Sequence, residues 1–186
     1  MKRIDVMKFE TIGSVFPVIR NGANIKQDRI TDGYPITRIE TIADGTIDLN
    51  RVGYASINDE NFADFYLEEN DILMSHINSV SHLGKVALVN GIESKVIHGM
   101  NLLCLKADEN KINPKYSFYF FKSPVFRTKI KKITKKSVNQ ASFNISNLKD
   151  IELPVPSLPD HLHIANILSK AENLIAQRKE SIRLLD

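Results

Sequence analysis

The chain has 186 residues, of which 42% are apolar and 25% are charged, with a formal net charge of +3 at pH 7. This balance is typical of one compact domain with an appendage and argues against a disordered chain. Its single cysteine, Cys104, excludes an internal disulfide framework and a cysteine-based zinc cluster. The N-terminus lacks a signal-peptide core, and no apolar run approaches the ~20 residues that span a bilayer. We therefore expect a cytoplasmic protein without a membrane partner.

The first part of the chain is predicted to be mostly β-structure after a short helical start. Residues 7–19 are predicted as a helix that ends in a turn at Asn21-Gly22. Short β-type runs separated by turn residues are predicted at 34–39, 47–49, 71–77, 85–89 and 95–105. This spacing predicts an α+β fold with a curved, mostly antiparallel sheet and flanking helices.

The pattern becomes helical after residue 108. Asn113-Pro114 and Ser123-Pro124 each combine a polar N-cap with a proline already at helical φ, which predicts helices over 115–121 and 125–133. The aromatic residues of the first helix are expected to pack in the core. Residues 134–144 are polar without a period, and the proline-spaced strip 153–159 is predicted as a stiff extended connector that is neither helix nor strand.

A long C-terminal helix is the clearest element of the sequence. Ser157 followed by Asp160 resembles a capping box. Apolar residues then recur at coiled-coil spacing: Ile164, Leu168, Ala171, Ile175, Ile182 and Leu185. A helix of ~25 residues is ~38 Å long, so we expect it to project and to pair with a second helix. A helix folded back on its own domain is the alternative. We place a recognition body at 1–156 and a pairing helix at 157–186.

The segment 127–136 contains six basic residues among ten and no acidic one. A polar segment follows it. Lysine and arginine neutralise phosphates, whereas Asn and Gln can bond bidentately to adenine. We therefore predict DNA binding, with a solvated cationic helix face as the alternative. The candidate residues are Lys129, Lys131, Lys132, Lys135 and Lys136 for the phosphates, and Asn139, Gln140 and Ser142 for base edges.

Two weaker polar stretches are further candidates for DNA contacts. The first contains Asn21 and Lys26, close to Gln27 and Arg29. The second contains His76 and Asn78 at the end of a predicted strand. An ordinary surface loop is the alternative for each stretch.

Catalytic patterns are weak in this sequence. No glycine-rich loop follows a strand, and no helical His-x-x-x-His pair is present. Asp71 and Glu93 with Lys95 form one possible arrangement for a small Mg²⁺-dependent nuclease. A scaffold protein that oligomerises through its helix, without an enzymatic role, is a further alternative.

The run from Ser137 to Ile151 resembles the close of a target recognition domain in Type I restriction–modification specificity subunits. The similarity continues through the proline strip 153–159 and the helical run from Ile164 to Leu168. The runs 69–73 and 84–87 resemble the central strands of that domain. His161 departs from the family pattern, which usually has glutamine near the start of this helix.

The resemblance implies a non-catalytic DNA-recognition module. Full-length members of that family carry two recognition domains separated by two long antiparallel helices. A chain with one domain and one helix is then expected to pair with itself, or with a second half, through the helix. The resemblance also implies modification subunits that bind S-adenosylmethionine and restriction subunits that use ATP and Mg²⁺, with no cofactor on this chain.

Overall fold

The computed structural model describes residues 7–27, 33–42, 45–55, 57, 60–138 and 140–185. In these ranges the α-helices α1 to α5 span Ile12–Val15, Pro114–Lys122, Pro124–Ile133, Ile145–Lys149 and Leu158–Arg183. The strands β1 to β11 span Phe9–Thr11, Val18–Asn21, Tyr34–Ile36, Gly53–Ala55, Ile72–Ser75, Ile77–Asn78, Val86–Leu88, Leu102–Lys106, Lys135–Lys136, Ala141–Ser142 and Glu152–Pro154. Short 3-10 helices lie at Ile39–Ile42, Leu49–Arg51 and Glu60–Phe65.

A four-stranded antiparallel sheet in the order β2-β8-β5-β7 forms the centre of the molecule. Successive side chains of a strand point to opposite faces, and here both faces are covered. Ile72 and Met74 belong to the larger apolar cluster, which includes α2 and α3, whereas Leu73 and Cys104 belong to a smaller cluster on the other side. The pairs β1-β11 and β3-β4 and the triplet β6-β10-β9 form small separate sheets. The predicted α+β class with antiparallel pairing is confirmed.

Helices α2 and α3 begin as the sequence predicts. The Asn113 side chain accepts a hydrogen bond from the Tyr116 amide, the Ser123 side chain accepts one from the Phe126 amide, and a proline opens each helix. The rings of Phe121 and Phe126 lie 4.8 Å apart between their centroids. Tyr116, Phe118 and Phe121 of α2 belong to the larger buried cluster, and Tyr119 and Phe120 pack against it, so the aromatic residues of this helix serve the core, as expected.

Two predictions of local structure near the ends of the body are wrong. The predicted helix over 7–19 is only the single turn α1, flanked by strands β1 and β2. Part of the predicted connector is strand β11, whose Leu153 pairs with Glu10 of β1. Tertiary pairing explains both errors, because β1 and β11 complete each other although they are far apart in sequence. Proline is tolerated at Pro154 because β11 is an edge strand.

Two further segments differ from their prediction. Residues 47–49 form no strand: Asp48 instead caps a 3-10 turn by accepting a hydrogen bond from the Asn50 amide at 3.0 Å. The polar segment after residue 134 is a hairpin of β9 and β10. Short runs of this kind carry too few residues for their period to be decisive.

Helix α5 has the predicted cap and length. Ser157 Oγ accepts from the Asp160 amide at 3.4 Å and donates to the Asp160 carboxylate at 2.6 Å. His161 and Ala165 are buried where the helix begins against α2, whereas every residue from 170 to 185 is exposed. Within the described ranges, no helix has the length and apolar character needed to cross a bilayer.

Candidate nucleic-acid interface

The hairpin β9-β10 presents lysine and serine side chains beside strand β6. Ser142 lies between Lys135 and Ile77 in the register of this small sheet. The turn is closed by Ser137, whose backbone N–H and hydroxyl both donate to the Gln140 carbonyl, at 2.7 and 2.9 Å. Val138 at the tip is 99% exposed. The hairpin therefore has a defined conformation and an exposed tip.

A groove of about 390 Å³ joins the predicted polar stretches. Asn21, His76, Lys135 and Ser142 all line it, although they come from three separate parts of the sequence. Asn21 ends β2 and is held opposite Leu103 of β8. The His76 carbonyl accepts a hydrogen bond from the Phe143 amide at 3.2 Å, which ties the hairpin to the end of β5. The edge of the central sheet thus fixes the groove.

His76 is a buried, neutral side chain beside this groove. It is 6% exposed, and its ring meets the Phe143 ring edge-on. Burial lowers the pKa of His76 below its usual value, which keeps the imidazole uncharged at neutral pH. Its Nδ1 atom has no hydrogen-bond partner in the described part of the chain. A neutral imidazole can donate or accept a hydrogen bond, so it suits a base edge better than a phosphate.

The lysines of α3 continue the cationic surface next to the hairpin. Phe126 and Ile130 turn inward, which leaves Lys131 and Lys132 exposed and Lys129 half-buried. None of the lysines at 129, 131, 132, 135 and 136 forms an ion pair with any residue that the structure describes. Their charges therefore remain available to an anionic partner. Lys131 and Lys132 also lie in the last turn of α3, near the negative end of its dipole, which alone would favour lysines there.

The other predicted contacts lie around the groove. Asn78 lines a neighbouring cleft with Ser75 and His82. Lys26 and Gln140 are exposed but are absent from the groove lining. Asn139, the first of the predicted base contacts, and Arg29 fall outside the described residues.

Sequence reasoning missed two polar residues close to this surface. Arg38 and Asn101 line a further groove together with Asn24 and Gln27. No local pattern marks either residue, because Arg38 precedes a 3-10 turn and Asn101 lies in the turn before β8. Only tertiary packing brings them together.

The nuclease alternative is wrong. Asp71 is 3% exposed, and its carboxylate pairs with Lys106 Nζ at 3.0 Å and accepts the Glu68 amide at 2.9 Å. Burial raises the pKa of Asp71, which these bonds oppose. Glu93 and Lys95 are exposed, and the Lys95 ammonium lies 5.2 Å from the Tyr66 ring centroid. Among the described residues, no group of three potential ligands could hold a metal ion.

The predicted pairing face of α5 is largely open. Leu168, Ile175, Ile182 and Leu185 are 40%, 56%, 61% and 87% exposed. Ala171 is also exposed, whereas Ile164 is half-buried against the body. An apolar stripe thus remains uncovered over most of the helix.

Comparison with known proteins gives a consistent result. Residues 5–184 match the family model of the Type I restriction modification DNA specificity domain. The chain is 44% identical over 173 residues to a putative type I restriction enzyme MjaX specificity subunit of Methanocaldococcus jannaschii, covering 92% of this chain and 41% of that protein. It is 26% identical to the EcoKI specificity subunit of Escherichia coli, covering 92% of this chain and 36% of that protein. The chain thus spans less than half the length of these relatives.

A solved structure shares the fold. The type I S subunit from M. genitalium superposes with a TM-score of 0.64 at 21% identity, over 93% of this chain and 41% of that chain. The family supplies DNA specificity to Type I restriction–modification systems. Its members are non-catalytic and carry no cofactor. S-adenosylmethionine and ATP are bound by the modification and restriction subunits. Since the family model covers nearly the entire sequence, the chain belongs to the Type I restriction modification DNA specificity domain family.

Proposed function

We propose that this chain recognises one half of a split DNA target on behalf of a Type I restriction–modification complex. The observation that carries the proposal is the groove beside the β9-β10 hairpin. Asn21, His76, Lys135 and Ser142, which are predicted DNA contacts from three separate stretches, line this groove together. The family membership supports the same function.

The two kinds of side chain have different roles in this proposal. Lys131, Lys132, Lys135 and Lys136 bind backbone phosphates, because their charges are exposed and unpaired. Such contacts supply affinity and make it dependent on salt. Ser142, which lines the groove, contacts a base edge, as do Asn139 and Gln140, which are close to it in sequence; these contacts supply sequence preference.

Pairing through the C-terminal helix adds a second recognition domain, which binds the second half of the target. The chain spans about 41% of the length of a curated relative, and full-length family members are expected to have two recognition domains. We propose a recognition body at 1–156 and a pairing helix at 157–186, whose exposed apolar stripe binds the same helix of a second copy or of an equivalent half. Modification and restriction subunits then act at the bound site with their own S-adenosylmethionine, ATP and Mg²⁺.

Charge removal at the hairpin tests the proposal. The double variant Lys135→Ala, Lys136→Ala is expected to weaken binding to all duplexes alike. The slope of log affinity against log salt should fall by up to about 2, since each phosphate contact contributes about 0.9. Fluorescence anisotropy of labelled duplexes at several salt concentrations measures both quantities.

A matched control removes two exposed lysines of α5, with Lys170→Ala and Lys179→Ala. This control keeps the same net charge as the hairpin variant and should retain the wild-type salt slope. An equal loss in both double variants would show that only net charge matters, and unchanged binding by the hairpin variant would remove the hairpin from the interface.

A further inference from the structure

A second groove of about 440 Å³ lies beyond the hairpin and is rich in groups that can bond to bases. Asn24, Gln27, Arg38, Glu40 and Asn101 line it. The proposed phosphate contacts of the hairpin do not use these side chains. Their amides, guanidinium and carboxylate supply both donors and acceptors of hydrogen bonds, the groups that read base edges.

Close backbone packing fixes the walls of this groove. A Cβ atom at Gly99 would lie 2.1 Å from the Thr37 carbonyl oxygen, and one at Gly22 would lie 2.2 Å from the Gly99 carbonyl oxygen. The Ala23 amide donates to the His98 carbonyl at 2.7 Å, and the Gly99 amide donates to Thr37 Oγ1 at 2.9 Å. Three chain segments therefore pack closely at Gly22, Thr37 and Gly99, and the groove beside them is preformed.

Arg38 is held in one orientation within the groove. Its Nε donates to Gln27 Oε1 at 2.6 Å. Gly53 leaves room for this pair, because a Cβ atom there would lie 2.8 Å from Arg38 Nε and 2.6 Å from Gln27 Oε1. The side chain is 31% exposed, and its Nη1 lies 3.7 Å from Glu40 Oε1. A guanidinium oriented in advance loses less conformational freedom when it binds.

The neighbouring charges match the edge of one kind of base pair. An arginine fork donates to O6 and N7 of guanine, and a carboxylate accepts from N4 of cytosine. Arg38 and Glu40 present these two functions side by side. Phosphate is a poorer ligand for the same place, because the Glu40 carboxylate would repel it.

The groove borders the surface already assigned to DNA. Asn101 lines the groove, and its backbone interacts with the imidazole of His76, which lines the hairpin groove. Ile39 and Glu40 also line the cleft that contains Asn78. The second groove and the Asn78 cleft therefore share a wall, and the contact between Asn101 and His76 connects the second groove to the hairpin groove.

We propose that Arg38 and Glu40 read a G·C base pair of the half-target, with Arg38 on guanine and Glu40 on cytosine. This inference rests on the proposed DNA recognition by the same face. Gln27 and Gly53 act as positioning residues, because they hold the guanidinium in place without being required to touch DNA.

The test is selection from random duplex DNA by the whole chain, alone and with modification subunits. Arg38→Ala is expected to lower the preference for G·C at one position by about 5- to 150-fold, the range of one bidentate contact. Arg38→Lys should relax the same position while it retains the salt slope, because the charge remains but the fork is lost. Glu40→Gln should relax that position to a smaller extent. Thermal unfolding of each variant checks that the fold is retained.

The controls separate this inference from the proposed function. Arg183→Ala removes an exposed arginine of α5 that lies outside the apolar stripe and should leave the selected motif unchanged, and Lys136→Ala should weaken binding without altering the motif. If Arg38→Ala and Arg38→Lys both select the wild-type motif, the Arg38 assignment is wrong while the proposed function stands. If wild-type protein enriches no motif and shows no salt-dependent binding in either arm, the proposed function fails and this inference fails with it.

Discussion

Both halves of helix α5 contain apolar residues, but only the first half has residues that are buried against the rest of the domain. In the first half, His161 and Ala165 are buried, and the His161 ring stacks on Tyr116 with a centroid distance of 4.4 Å. In the second half, Ile175 and Ile182 are 56% and 61% exposed. The apolar pattern of a helix therefore predicts which face will be covered. It does not predict whether the same domain or a second chain covers that face.

Glu172 marks the change between the two halves. Its carboxylate accepts a hydrogen bond from the Tyr119 hydroxyl at 3.0 Å and pairs with Lys122, so α2 still contacts the helix there. Beyond this point every residue as far as 185 is exposed. We infer that the first half contributes to the stability of the domain and that the second half serves association.

The largest effect is expected from a charge placed in the buried half. Ala165→Glu would put an unpaired carboxylate and extra volume into the core beside α2, at a cost of about 3–5 kcal/mol in the free energy of unfolding. Ala176→Glu makes the same change in the exposed half and should stay within about 0.5 kcal/mol of wild type. Chemical denaturation of dilute protein measures both values, and equal losses would contradict the division of α5 into two halves.

An intermediate effect is expected on association. Ile175→Glu combined with Ile182→Glu removes two apolar contacts of ~1.5 kcal/mol or more each, which should weaken helix pairing by roughly 100-fold or more. The unfolding of the monomer should be unchanged. Sedimentation equilibrium measures the association, with Gln177→Glu as a control for added charge outside the apolar stripe. A wild-type chain that stays monomeric at high concentration would refute self-pairing through α5.

The smallest effect concerns pH and the contact of His161. Burial lowers the pKa of His161, only partly opposed by Asp160. As pH falls below the ordinary histidine value of 6.5, the unfolded chain binds a proton here before the folded chain does. The stability that neutral His161 contributes above pH 6.5 is therefore lost as the pH falls toward the pKa of His161 in the folded protein.

Other buried histidines contribute to the same acid-induced loss. The pKa of His98 is lowered to about 4, chiefly by burial, and that of His76 is lowered as well. The contribution of His161 is therefore measured by comparing two proteins, wild type and His161→Gln. For each, the denaturation midpoint is followed from pH 7.5 to 4.5. A smaller acid loss in the variant is expected, and identical pH profiles would contradict a neutral, buried His161.

The accuracy of the sequence predictions follows the range of the interactions involved. Helices α2, α3 and α5 were predictable because Asn113, Ser123 and Ser157 form caps within three residues of their partners. Strands β1 and β11 were not, because they pair with each other across more than 140 residues of sequence. Neither end carries enough local pattern to reveal its partner.

The candidate interface shows the same contrast. The lysines of 129–136 stand out by composition, and those at 131, 132, 135 and 136 are exposed on α3 and β9. Arg38 does not stand out, because its significance depends on Gln27 and on the space above Gly53. No composition or spacing along the chain encodes that arrangement.

The sequence by itself determined the fold class, the three capped helices, the cationic segment and the apolar stripe of α5, since each depends on residues close together along the chain. Only the tertiary structure decided which half of α5 is buried, and only it brought Asn21, His76, Lys135 and Ser142 to one groove. The physical reason is that contacts between distant segments depend on backbone pairing and close packing, such as that at Gly22 and Gly99, which local patterns do not specify.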